Sequence, residues 1–237
     1  MVVAIHQPDY IPWLGLYYKI AHSDVFVYLD DAQYSNEAGH NVNKIKTPQG
    51  ELKLKVPVEQ HLGDLICDVR TKDELKWKEK HLKTIQMNYS KSAHFDEVFP
   101  KLKEVFDAHN GTIADLNISI NNMICKGFGI NTKVVKSSDM DITSLREERV
   151  IDICLKLGAD EYLSGNGARA YQTEEHFISK GLKLTYLDYK PIEYKQLWNK
   201  QCGFLPYMSV LDYIFNCGFD WDYVEKAVKE LNTDGNR

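Results

Sequence analysis

The chain opens on a short apolar run, residues 2–5, that ends abruptly at His6-Gln7-Pro8 and predicts a buried strand running into a loop. Pro12 suits the first turn of a helix, where its missing N–H has no partner to lose. Trp13, Leu16, Tyr17 and Ile20 then recur at helical spacing and predict one core-facing stripe. Ser23-Asp24 break that pattern, and residues 25–29 form a second apolar run ending in Asp30-Asp31. Strand, polar loop, helix and strand in this order predict a βαβ unit whose strands are parallel neighbours.

Residues 34–50 are polar and rich in Asn, Lys and Gly, and they read as a long loop or lid. Loops beyond about 12–15 residues inside a domain are usually functional. Leu52, Leu54, Val56 and Val58 alternate with polar residues and predict a strand with one buried face, and residues 66–70 a further short one. Three helical stretches follow: 73–89 with Leu75, Leu82, Ile85 and Tyr89; 99–109 with Leu102, Val105 and Phe106; and 113–128 with Leu116, Ile120, Met123 and Ile124. Gly127 and Gly129 suit the end of the last.

From 132 to 188, strands (132–135, 161–163, 182–187) alternate with helices (147–157, 173–179). That alternation predicts a Rossmann-like, doubly wound parallel α/β sheet. Residues 189–206 are irregular and aromatic-rich, and they lead into helices over 208–216 and 220–231. The expected organisation is a single α/β domain over 1–237, with a helical insertion at about 73–129 and a C-terminal helical appendage at about 189–237.

Composition narrows the function classes. Of 237 residues, 43% are hydrophobic and 27% charged, which suits a globular chain and argues against disorder. No apolar run approaches the roughly 20 residues of a membrane span, and the N-terminus lacks the basic and apolar regions of a signal peptide, so a cytoplasmic location is expected. The net charge of −5 disfavours a broad nucleic-acid surface. Cys67, Cys125, Cys154, Cys202 and Cys217 are widely spaced with no C-x-x-C pair, so neither a disulfide framework nor a zinc site is indicated.

In open α/β sheets, ligands bind beyond the carboxyl ends of the strands. His6, Gln7, Asp9 and Tyr10 lie between the first strand and a helix N-terminus, a place that favours phosphate or carboxylate. His6 there can hold a phosphate oxygen or shuttle a proton, or simply cap the sheet edge. Ser164, Gly165, Asn166 and Gly167 follow another strand and can expose backbone N–H groups to an anion, with Arg169 as a bidentate donor; the alternative is an ordinary glycine turn. Lys44 and Lys46 place two cations on a segment long enough to close over a site, or on a merely solvated loop. Trp77 and His81 are helical neighbours, either a packing pair or part of a site. Ser209, Asp212 and Asn216 share the polar face of a helix. Asp212 there can orient an amine or hydroxyl, while Tyr194 and Gln196 just before it can read sugar hydroxyls. No spacing suggests a metal site, and no Gly-x-Ser-x-Gly elbow a hydrolase.

Taken together, these blocks resemble the WbqC-like proteins of bacterial surface-polysaccharide gene clusters across nearly the whole chain. The resemblance rests on His6-Gln-Pro-Asp-Tyr-Ile-Pro-Trp-Leu-Gly15 with Lys19-Ile20, and on Asp24-Val-Phe-Val-Tyr-Leu-Asp-Asp-Ala-Gln-Tyr34. It continues through Asn43-Lys-Ile-Lys-Thr-Pro-Gln-Gly50 with Val56-Pro-Val58, Trp77 to His81, Tyr162-Leu-Ser-Gly165 with Gly167-Ala168, and Phe204-Leu-Pro-Tyr-Met-Ser-Val-Leu-Asp212. One departure is Asn41-Val42-Asn43, where the family tends toward arginine. The opening strand, His loop and helix also look like the start of nucleotidyltransferase-type folds such as pantothenate synthetase, where an H-x-G-H histidine pair binds ATP phosphates. Here Asp9 stands where the second histidine would be.

The resemblance implies a setting in O-antigen or capsule synthesis more than a reaction. Joined to the polar strand ends, it gives the expectation of an enzyme that N-acylates or aminoacylates an amino sugar carried on a nucleotide, by an ATP-dependent ligase route with Mg accompanying the ATP. On this expectation His6, Asp212 and His81 are catalytic. Gln7, Asp9, Tyr10, Lys44, Lys46, Ser164, Gly165, Asn166, Gly167 and Arg169 bind the nucleotide, and Tyr194, Gln196 and Ser209 bind the sugar. The alternatives are a nucleotidyltransferase that activates a sugar phosphate and a non-catalytic binding protein. The partners expected are small molecules, with no nucleic acid and no membrane span; the oligomeric state stays open.

Overall fold

A computed structural model describes residues 1–170 and 172–234, so residues 235–237 of the expected C-terminal appendage lie outside it. Five parallel strands form the central sheet: β1 (Val2–His6), β2 (Val25–Tyr28), β7 (Lys133–Lys136), β8 (Glu161–Ser164) and β9 (Lys183–Tyr186), in spatial order β7-β2-β1-β8-β9. The doubly wound expectation is met. The chain lays β2 and then β7 to one side of β1, and then crosses over to place β8 on the other side. The carboxyl ends of β1 and β8 therefore flank the point where the winding reverses, and connections diverging there leave a crevice.

Alternation along the strands divides the interior into two layers. Ala4, Phe26, Tyr28 and Leu163 face one way, into a large apolar cluster with α1 (Leu14–Ala21), α2 (Trp77–Tyr89), α3 (Phe95–Ala108), α4 (Ile113–Phe128), α8 (Val210–Cys217) and α9 (Trp221–Asp234). Val3, Ile5, Val25 and Val27 face the other way, against Ile151 and Cys154 of α5 (Arg146–Leu157) and Phe177 of α6 (Glu174–Ser179). Full burial of each such side chain contributes about 1.5–3 kcal/mol relative to exposure.

Several expected elements are redrawn. The lid over 34–50 is instead largely a hairpin: β3 (Val42–Thr47) pairs antiparallel with β4 (Gly50–Lys55), turning at Gly50, whose φ of +105° suits glycine. Its polar composition hid the strand, because Lys46 and Thr47 are buried with internal hydrogen-bond partners, and Asn41 just before it is buried with its Nδ2 donating to Val56 O. The strand expected through Val58 stops at Lys55. Val58–Glu59 (β5) pairs instead with Arg70–Thr71 (β6).

The helix expected from 73 is a 3₁₀ turn over Asp73–Leu75, broken at left-handed Lys76 before α2 begins. α3 starts four residues earlier than 99, with Pro100 inside it rather than in its first turn. The irregular stretch 189–206 holds one short helix, α7 (Asn199–Cys202). Among the described residues, no helix is long and apolar enough to cross a membrane.

Candidate functional site

A cavity of about 970 Å³ opens at the crevice between β1 and β8. His6 and Gln7 enter it from the end of β1. Ser164, Gly165, Asn166 and Gly167 enter from the end of β8, so six of the expected site residues share one cavity. A β-carbon on Gly165 or Gly167 would meet nothing within 4 Å, which lets a ligand approach the backbone closely. Ser164 is fully buried, and its hydroxyl donates to Gln172 Oε1 at 2.7 Å. Asn166 Nδ2 donates to Leu187 O, fixing the turn. Trp13 and Tyr189, edge to face with centroids 5.2 Å apart, form an aromatic flank.

Hydrogen bonding sets the polarity of the two β1 side chains. His6 Nδ1 lies 2.7 Å from Gln7 O. A carbonyl only accepts, so Nδ1 carries the proton and the neutral ring keeps its lone pair on Nε2. Behind Gln7 lies His40, wholly buried, with Nδ1 accepting from Ser35 N–H. Its Nε2 therefore donates to Gln7 Oε1 at 2.9 Å, leaving the Gln7 amide N–H groups as donors. Burial lowers His40 below the ordinary histidine value, in keeping with a neutral ring.

The loop between β1 and α1 is strained and buttressed. Ile11 is a buried β-branched residue at φ +38°, a rarely populated conformation. Asn43 Nδ2 donates to both Tyr10 O and Ile11 O, Asn117 Nδ2 to Pro8 O at 2.8 Å and His40 O at 2.7 Å, and Tyr10 N to Gly39 O. Asn43, from the stretch where the resemblance anticipates arginine, thus holds two backbone carbonyls of this loop.

Other expected site residues lie elsewhere. Lys44 pairs with Glu51 across the hairpin at 2.6 Å. Lys46 is wholly buried, with Nζ donating to Gln196 Oε1, Asn199 Oδ1 and Gly203 O. Asp212, also wholly buried, accepts from Tyr89 at 2.7 Å and Tyr194 at 2.9 Å, and Gln196 Nε2 donates to the Tyr194 hydroxyl. Burial raises the Asp212 carboxyl, while the two tyrosine hydroxyls draw it back down. Lys46, Tyr194, Gln196 and Asp212 thus form one internal network, with Ser209 beside it donating its N–H to Lys44 O. Tyr10 and His81 pair with each other, hydroxyl to Nδ1, at 2.8 Å, and burial lowers His81 to about 4. Asp9 stands 3.9 Å from His6 Nδ1. Arg169 stacks over Tyr186 at 3.9 Å and donates to Asn166 Oδ1. None of these ten residues lines the cavity.

Sequence reasoning passed over other lining groups. Lys19, on α1, is 4% exposed, and its Nζ donates to Ile5 O at 2.8 Å. Burial lowers it to about 7. Its position between Leu16 and Ile20, inside the apolar stripe, was the available signal. Arg146 and Glu147 line the opposite wall at the start of α5, Arg146 with a left-handed φ of +56°. Among the described residues, no group of three or more His, Cys, Asp or Glu could hold a metal ion.

A model of the WbqC-like protein family matches residues 7–222, a span that includes Gln7, Lys19, the Ser164–Gly167 turn and the buried Asp212 network. The chain belongs to that family. The uncharacterized protein Rv1507c of Mycobacterium tuberculosis (strain ATCC 25618 / H37Rv) is 37% identical over 220 residues, covering 91% of this chain and 94% of its own. No solved structure matches.

Proposed function

We propose that this WbqC-like protein is an enzyme of bacterial surface-polysaccharide synthesis that N-acylates or aminoacylates an amino sugar carried on a nucleotide. One observation supports the reading above all: His6, Gln7 and the Ser164–Gly167 turn share a cavity with an aromatic flank at the sheet's switch point. Polar donors beside open glycine backbone suit phosphates, and Trp13 with Tyr189 suits a flat base or a sugar face. The volume lies near the top of the roughly 300–1,000 Å³ typical of small-molecule sites, which accommodates a nucleotide with its sugar.

In this reading the sugar amine attacks an activated acyl carbon. The new C–N bond forms as the bond to the leaving oxyanion breaks, and His6 Nε2 takes the amine proton. Gln7 N–H and the Ser164–Asn166 turn stabilise the departing oxyanion. ATP is the co-substrate that would activate the acid, with Mg accompanying it.

The test incubates the protein with ATP, a candidate acid and nucleotide-linked amino sugars, with products followed by mass spectrometry. Amide formation is expected, lost by about 10²–10⁴-fold in a folded His6→Ala protein. Pyrophosphate released without amide would replace this reading with nucleotidyl transfer. Binding without any turnover would replace it with a binding protein.

A further inference from the structure

Lys19 stands in the cavity wall as a buried cation-forming group that touches no carboxylate among the described residues. Among the described residues its one hydrogen-bond partner is Ile5 O, a neutral acceptor that uses one of an ammonium's three N–H bonds. Among the described residues, no carboxylate forms an ion pair with it. From β8, Tyr162 presents its ring with the centroid 6.0 Å from Nζ. From α5 come Cys154, whose thiol burial raises to about 12, and the cavity-lining Arg146 and Glu147. Glu147 is already engaged by Thr173 N–H and His176. From β1 comes His6. An ammonium left in such a wall without a counter-charge is strongly disfavoured, and an anion entering the cavity removes that penalty.

We propose that Lys19 is the anion receptor of this cavity, taking a proton as it binds a tetrahedral oxyanion, the phosphate class of group that a nucleotide-linked guest carries. This rests on the reading of the cavity as a nucleotide-sugar site. The sign follows from burial and charge. In the empty cavity burial holds Lys19 near 7, and a bound oxyanion raises it. Above that value the binding-competent ammonium becomes scarcer, so affinity falls about tenfold per pH unit.

Inorganic sulfate is the probe, because its charge stays fixed across the range. Its affinity for the full chain is measured by calorimetry from about pH 7.5 to about pH 9.5, above the range in which histidines ordinarily titrate. The expected result is wild-type affinity falling at least tenfold across that range. Lys19→Arg should bind with little pH dependence, because a guanidinium keeps its charge. Lys19→Met should bind at least tenfold more weakly at the lower end. A flat wild-type profile, no sulfate binding, or a Lys19→Met protein as tight as wild type would overturn the receptor. Nucleotide-linked amino sugars are titrated in parallel. If Lys19→Met binds them with wild-type affinity, the receptor fails and the nucleotide-sugar reading stands. If wild type binds none of them, that reading fails independently of the sulfate profile.

Discussion

Trp13 folds its indole over the α-carbon of Gly15, where a β-carbon would meet ring atoms at 2.6–2.8 Å. Alanine is worth about 1 kcal/mol over glycine inside a helix, so Gly15→Ala sets helix propensity against the indole's position at the cavity rim. The expected outcome is a melting temperature near wild type and affinity for the nucleotide-linked sugar reduced about tenfold, matched by Trp13→Ala. Isothermal titration of both variants decides whether this aromatic flank touches the ligand.

Asn117 ties α4 to the loop between β1 and α1 through Pro8 O, and to His40 O behind it, while wholly buried. Asn117→Ala removes both bonds and leaves two buried carbonyls unsatisfied. It should cost about 2–4 kcal/mol in urea unfolding and lower turnover by loosening His6 and Gln7. A cost under about 0.5 kcal/mol would show that the loop holds itself.

His81 titrates near 4 when folded, below the ordinary histidine value because burial disfavours its charge. Its contribution to stability is therefore complete above about pH 6.5 and is lost as pH falls through the folded value, up to about 3 kcal/mol. Urea unfolding of His81→Phe against wild type over that interval should show a smaller loss on acidification in the variant. Equal acid sensitivity would place the effect on His40 or His109, both of which are also lowered by burial.

Asp212→Ala strands the Tyr89 and Tyr194 hydroxyls and unbalances the Lys46 ammonium two links away. The expected cost is about 3–5 kcal/mol, with Asp212→Asn losing less because its amide oxygen still accepts. Differential scanning calorimetry of the pair measures it. Equal melting temperatures for the two variants would show that the carboxylate's hydrogen bonds contribute little.

The elements that sequence rendered correctly are those whose apolar runs are continuous, because both faces of the strand are buried. Val3, Ile5, Val25 and Val27 set against Ala4, Phe26 and Tyr28 mark β1 and β2 before any coordinate is known. The hairpin resisted because Lys46 and Asn41, polar by letter, are buried by partners distant in the chain. The same holds at the cavity. His6, Gln7 and the Ser164–Gly167 turn are strand ends, legible from order alone. Lys46 and Asp212 instead belong to a network whose members come from β3, α2, α8 and the segment before α7, a convergence no local spacing announces. Lys19 was legible as part of the Lys19-Ile20 motif and as a polar residue among apolar neighbours, but not as a lining group, and His40 only once Gln7 was in place.

The strand order has a consequence for synthesis. A chain that ends before residue 161 includes β1, β2 and the α5 lining residues yet lacks the part of the receptacle that β8 and the segments after it supply, from Tyr162 and the Ser164–Ala168 turn to Tyr189. A small molecule that fits the finished receptacle would stabilise only polypeptides that extend through Tyr189, the last of its lining residues.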